Sequence, residues 1–200
     1  MNFENLENIF IRIKSFLNEG VNSSSSGFHT VNVCTVEKNS PKIRTVVLRN
    51  FDEENFVIYF HTDKRSQKIN HLKENSNISL HFYSLNDKTQ LIIEGSAEIL
   101  NSGEYFENAW ENTKSMSRKC YFLTEAPGIP LKEYRSGLPE VFQNRSPLPS
   151  ESEEGKQNFT VVKVQCKVVE FLYLRAKGNI RARFKLDYAG KMKQCEFLIP

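Results

Sequence analysis

Apolar and polar residues alternate along most of this chain, and the period changes in ways that mark its elements. Residues 3–17 place Phe3, Leu6, Ile9, Phe10, Ile13, Phe16 and Leu17 on one helical face, with Gly20 as the expected stop. Arg12 and Lys14 share the polar face with acidic residues, which favours a core-facing helix over a membrane-surface one. Ser23 to Ser26 form a flexible connection. From there the period is two. Strands are expected over Phe28 to Val36, Ile43 to Arg49, Phe56 to His61, Ile78 to Tyr83 and Gln90 to Leu100. Lys38-Asn39-Ser40-Pro41, Asp52-Glu53-Glu54-Asn55 and Asn86-Asp87 are the turns between them. One short helix, Gln67 to Glu74, interrupts the run, with Ser66 as its expected cap and Ile69 and Leu72 facing inward.

A second helix is expected after Asn101, in a capping box with Glu104, carrying Tyr105, Phe106, Ala109 and Trp110. Residues 124–150 are rich in proline and glycine and read as loop; Ser150 to Lys156 is acidic and expected to be mobile. Three more strands follow, Phe159 to Leu174, Ile180 to Tyr188 and Met192 to Ile199, with turns at Lys177-Gly178-Asn179 and Ala189-Gly190. Consecutive strands with short connections argue for an antiparallel barrel over a parallel sheet. The expected organisation is one domain over 1–200: an N-terminal helix (1–20), a first barrel part (28–100), a helix and loop insertion (101–157) and C-terminal strands (158–200).

Composition narrows the function classes. At 200 residues with 39% hydrophobic and 26% charged side chains, the chain can bury a substantial core. Its 15 Phe and 7 Tyr suit strands. A net charge of +3 with interspersed signs is too weak to imply nucleic acid, although basic residues among Phe and Tyr keep a barrel for single strands as a third reading. Cys34, Cys120, Cys166 and Cys195 are far apart, so no disulfide framework or zinc site is indicated, and mostly buried, reduced thiols in a cytoplasmic protein are expected. No metal spacing links His29, His61, His71 and His81; His81, between Leu80 and Phe82, reads as structural. No signal peptide and no membrane span are expected. Trp110 reads as a core anchor.

The candidate chemistry lies between Lys42 and Leu100. Arg44 sits on a strand; Ser66 and Lys68 sit in the turn after a neighbouring strand, so a hairpin would bring cations and a hydroxyl together around an anion such as a phosphate. The order of residues resembles the FMN-binding split-barrel family of the pyridoxamine 5'-phosphate oxidase type, from about Thr30 to Pro200. The Arg44-Thr45-Val46-Val47-Leu48-Arg49 strand is similar to the family's R-x-V-x-L-[KR] strand. The resemblance implies that Arg44 and the backbone of Val46, Val47 and Leu48 line FMN, with His61-Thr62 near the phosphate and ribityl chain. It implies that Ser66, Gln67 and Lys68 lie at the phosphate and that Gln90 reaches the flavin from a partner subunit. Tyr173 falls where the family usually has Trp, Arg183 matches a cofactor-contacting Arg, and Phe197-Leu198-Ile199-Pro200 resembles the terminal L-x-P. The Thr62-Asp63-x-Arg65-Ser66-x-Lys68 run, Tyr105 to Trp110, Arg118 and Pro127-Gly128 resemble the Alr4036-type branch.

The resemblance therefore implies a mainly β (α+β) fold, a six-stranded antiparallel split barrel with an N-terminal helix and peripheral helices. It also implies a homodimer with FMN at the subunit interface and an FMN-dependent oxidoreductase. Two departures concern the substrate. The family's Arg-x-His pair is Asn179-Ile180-Arg181 here, which removes a cation expected to hold the substrate, and Gln67 replaces the basic residue before the phosphate Lys. Arg49 and Arg181 are the remaining candidates for an anionic substrate; no catalytic residue is assigned. The alternative reading is a non-catalytic barrel that stores or senses a flavin or haem.

Overall fold

A computed structural model describes Phe3 and residues 5–200, together with the backbone but not the side chain of Pro149; positions 1, 2 and 4 of the expected N-terminal segment lie outside the described residues. Eight strands run β1 Thr30–Glu37, β2 Ser40–Asp52, β3 Val57–Asp63, β4 Asn77–Ser84, β5 Thr89–Leu100, β6 Phe159–Tyr173, β7 Ile180–Leu186 and β8 Met192–Leu198. The helices are α1 Leu6–Asn22, α2 Gln67–Glu74, α3 Glu104–Glu111, α4 Ser115–Arg118, α5 Glu140–Gln143 and α6 Pro149–Lys156. The sheet order is β3-β2-β1-β4-β5-β6-β7-β8, and an added β3–β6 pairing closes β1 to β6 into a six-stranded antiparallel barrel. β7 and β8 extend the sheet beyond the closure. Closure removes two sheet edges that would otherwise expose unpaired backbone groups.

Alternation builds the interior. Val31, Val33, Leu48, Phe60, Leu80, Phe82, Leu91, Ile93, Val162 and Val164 point inward and are buried. α1 covers this core with Ile9, Phe10, Ile13, Phe16 and Leu17; Phe16 stacks on Phe28 at 4.3 Å and Phe10 on Phe56 at 5.5 Å. Burying each such ring contributes about 1.5–3 kcal/mol relative to exposure. Asn5 caps α1 by accepting from the backbone N–H of Glu7 and Asn8. A second cluster lies outside the barrel, where Phe106 and Trp110 of α3 and Tyr121 pack on Val57, Tyr59, Phe159 and Val161 of β3 and β6. Trp110 is fully buried, as expected of a core anchor.

Several local expectations are corrected. Gly20 does not stop α1, which continues to Asn22; a Cβ at Gly20 would lie 2.3 Å from the Phe28 carbonyl oxygen, so glycine here permits close packing of helix on chain. The first hairpin turns on Lys38 and Asn39 alone, both left-handed, and β2 begins at Ser40. α3 is preceded by Gly103 with no side-chain cap, so Asn101 and Glu104 form no capping box. The acidic segment after Ser150 is helical in α6, because Trp110 Nε1 donates to Glu153 and Arg118 donates to Ser152. All four cysteines are free, but only Cys166 is buried; Cys34 and Cys195 are half-buried and Cys120 is exposed.

Candidate functional site

The barrel is split on one side of β2. β2 pairs with β1 from Ser40 to Val47, but with β3 only from Leu48 to Asp52. β3 keeps β6 on its other edge along its whole length, Val57 to Asp63, but beyond Phe60 it has no β2 partner. The stretch Arg44–Val47 thus has no β3 partner, and its outward backbone groups are free for a ligand to satisfy. A bulge at Arg49, between Leu48 paired to Phe60 and Asn50 paired to Tyr59, sharpens the departure.

Four expected residues converge at the mouth of this split. Lys68 Nζ donates to Thr62 Oγ1 (2.8 Å) and Ser66 Oγ (3.0 Å), and the two hydroxyl oxygens are 3.4 Å apart. Ser66 stands before α2 but makes no side-chain cap, contrary to expectation; its hydroxyl is committed to Lys68. Arg44 Nη1 donates to Thr35 Oγ1 at 2.6 Å. Burial first and the nearby Arg44 charge second push the Lys68 ammonium down to about 8; burial also lowers Arg44. Neither cation forms a salt bridge among the described residues. Asp63, the acid whose charge acts on Lys68, is already taken by Arg65, whose Nε and Nη2 donate to it at 3.0 and 2.7 Å. Arg65 Nη2 also donates to the Leu123 carbonyl, which brings the insertion over the cradle, with Gly128 next to the exposed Gln67.

A cleft of about 580 Å³ opens beside the bulge. Arg49, Asn50, His61, Tyr105, Thr113 and Lys114 are among its lining residues. His61 stands edge-on to Phe159 at 4.9 Å, and burial together with the Arg49 charge pushes its imidazole down to about 3, so it is neutral at ordinary pH. Val46 and Leu48 face the core, with Leu48 buried, while Val47 is half-exposed on the outer face. Only the backbone of this trio is available to a ligand in the split.

The remaining candidates are not brought to this place within one chain. One register row crosses the outer face of the sheet: Thr45, Asn32, His81, Ile92, Glu170, Arg183 and Glu196 are successive partners. Gln90 lies beside this row, its Oε1 3.2 Å from His81 Nε2. Arg181 and Arg183 both donate to Glu170, at 2.7 and 2.8 Å. Burial works to raise Glu170, but these hydrogen bonds outweigh it and hold the carboxyl below its ordinary range. Tyr173 packs edge-on against Phe3 at 4.9 Å. Thr35 and His71 were given no site role by the sequence, and both are buried next to Arg44, Thr35 directly and His71 through Thr35. Their one sequence signal is a polar side chain on an inward register, Thr35 after Val31 and Val33.

Comparison with known proteins fits this geometry. Residues 12–101 match the family model of the pyridoxamine 5'-phosphate oxidase FMN-binding domain. A pyridoxine/pyridoxamine 5'-phosphate oxidase of Photobacterium profundum is 30% identical over 149 residues, covering 68% of this chain and 67% of that protein. One of Aliarcobacter butzleri is 29% identical over 154 residues, covering 76% of this chain; the chain spans just under two thirds of its length, 66%. Among solved structures, a pyridoxamine 5'-phosphate oxidase-related, FMN-binding protein of Nostoc punctiforme superposes with a TM-score of 0.73 at 22% identity, covering 94% of this chain and 95% of that one. PhzG of Burkholderia lata gives 0.70 at 16% identity, covering 99% and 95%. At these identities the two structures speak for the fold. The chain belongs to the FMN-binding pyridoxamine 5'-phosphate oxidase family, and its cofactor is FMN.

Proposed function

We propose that this protein is an FMN-dependent oxidoreductase, with the flavin phosphate on Arg44, Thr62, Ser66 and Lys68 and a small anionic substrate in the cleft over Arg49. The observation that carries the cofactor site is the half-buried Lys68 beside Arg44, with no salt bridge to either among the described residues. Two partly desolvated cations and two hydroxyls suit a phosphate dianion, which accepts charge-assisted hydrogen bonds from all of them. The unpaired edge of β2 from Arg44 to Val47 offers backbone groups to the flavin ring. When bound, FMN supplies the two-electron chemistry at its N5.

The chain's own residues bind, orient and exclude water. Arg49 offers a charge at the wall of the cleft, and neutral His61 offers a ring nitrogen that neither repels a cation nor carries a proton to release. Tyr105 and Asn50, joined by a 3.0 Å hydrogen bond, and Thr113 add polar groups that orient a substrate. Arg181, on the outer sheet face, serves the same anion from a partner subunit in this reading.

That face is also the proposed dimer surface. Ile43 is 68% and Tyr83 44% exposed, and Gln90, Arg181 and Arg183 share it. Homodimerisation through it would carry Gln90 and Arg183 to the partner's split. Among the described residues, no helix is long and apolar enough to cross a membrane.

The test begins with the absorption spectrum of the purified protein, FMN titration of the apo form, and sedimentation. Reduction of the bound flavin is then followed with a panel of anionic substrates beginning with pyridoxamine 5'-phosphate. The expected result is a flavin-loaded dimer that turns over at least one of them, with Arg49→Ala raising KM about 10- to 100-fold at unchanged FMN affinity, the loss of one charge-assisted pair. A flavin that no donor reduces would leave a storage or sensing module.

A further inference from the structure

Arg44 is held by a buried relay that runs away from the cradle. Its Nη1 donates to Thr35 Oγ1 at 2.6 Å and lies 3.4 Å from the Val33 carbonyl. Thr35 is 1% exposed, and its Oγ1 lies 3.0 Å from Nδ1 of His71, which is 4% exposed on α2. Donor and acceptor roles follow from chemistry. A guanidinium only donates, so the Thr35 oxygen accepts from Arg44. The hydroxyl proton of Thr35 is then available to His71 Nδ1, the ring nitrogen beside it. The other ring nitrogen, Nε2, faces Glu37 Oε1 at 3.6 Å. Glu37 Oε2 in turn lies 3.3 Å from Lys42 Nζ.

We propose that Thr35 and His71 are positioning residues for the cofactor phosphate, fixing the Arg44 guanidinium beside Lys68 before the anion arrives. This rests on the reading of Arg44 and Lys68 as the phosphate cradle. Two neighbouring cations repel, and a free arginine side chain would move apart and lose rotamer entropy on return. A carboxylate against Arg44 would also fix it, but would cancel the charge that the phosphate needs. A neutral hydroxyl backed by an imidazole orients Arg44 without neutralising it. The relay's one acid, Glu37, stands at its far end, half-exposed and shared with Lys42.

FMN and riboflavin affinities, measured by fluorescence quenching on the apoprotein, test this in Thr35→Val, Thr35→Ser, His71→Phe and Arg44→Ala. Thr35→Val keeps the shape and removes the hydroxyl; it is expected to weaken FMN about tenfold, the size of a hydrogen bond to a charged group. Riboflavin, which has no phosphate, should bind as before, and Thr35→Ser should restore FMN affinity. His71→Phe should move FMN in the same direction by several-fold. In an Arg44→Ala background, Thr35→Val should cost nothing further, because the relay then has nothing to hold. Wild-type FMN affinity in Thr35→Val, or a penalty that persists without Arg44, would overturn the relay. If Arg44→Ala and Lys68→Ala also bind FMN normally, the cradle itself is wrong; if they fail while Thr35→Val does not, only the relay is.

Discussion

Two groups of cations in this protein look alike in the sequence and differ in the fold. Arg44 and Lys68 stand at the split, half-buried, lowered by desolvation, with hydroxyls beside them and no salt bridge to either among the described residues. Arg181 and Arg183 stand on the open sheet face with Glu170 between them and Glu196 3.7 Å from Arg183. The Glu170 hydrogen bond raises Arg183, the opposite direction from Lys68. A cation left without an acid while losing water marks a place prepared for an external anion. A cation already matched to an acid marks a scaffold or an interface.

The largest expected effect falls on the first group. Lys68→Ala or Arg44→Ala should weaken FMN binding about 100-fold, from loss of charge-assisted hydrogen bonds worth roughly 1.5–3 kcal/mol each. The variant apoproteins should be no less stable than wild type, since each substitution removes one of two half-buried like charges. Equal FMN affinity in both variants, read by titration, breaks the comparison outright.

A pH series sharpens it. The Lys68 ammonium is lowered from 10.5 to about 8 in the protein without its anion. Below pH 8 the group is charged in folded and unfolded states alike, and the full cost of burying the charge is present. Between 8 and 10.5 the unfolded chain binds more protons, so this group's contribution to stability rises with pH. A bound phosphate favours the charged form and raises the ammonium again. FMN affinity should therefore fall as pH rises above about 8, by up to about tenfold per unit, through proton uptake on binding. Lys68→Met should abolish that slope. A slope that survives in Lys68→Met assigns the titration elsewhere.

The barrel was legible because alternation and short turns leave little choice: all eight strands lie where the period-two runs stand, and closure follows from pairing β3 to β6. Helix ends were less so. Gly20 reads as a stop by propensity, and only the approach of Phe28 shows why the helix runs through it. The cradle could be read in part, since Arg44, Ser66 and Lys68 follow a recognisable order. Thr35 and His71 were hidden because their role depends on contacts across 36 positions in sequence, and nothing local distinguishes a buried donor from a surface threonine. The sharing of Glu170 by two arginines is likewise a register fact, set by pairing of β6 with β7.

The smallest expected effect belongs to that shared acid. Glu170→Gln keeps the shape and removes the charge that Arg181 and Arg183 both use. Both arginines are about one third exposed, so solvent screening limits the loss of protomer stability to about 1 kcal/mol or less. FMN affinity should change little if this cluster is scaffold, and the midpoint of thermal unfolding should drop by a few degrees at most. The informative reading is association. Freed of Glu170, two adjacent cations on the proposed dimer face repel their own copies across a two-fold axis as well as each other. The dimer dissociation constant should rise several-fold at low salt and return toward wild type as salt screens the charges. A wild-type constant at low salt would take this face out of the interface, and the assignment of Gln90 and Arg183 to the partner's flavin would go with it.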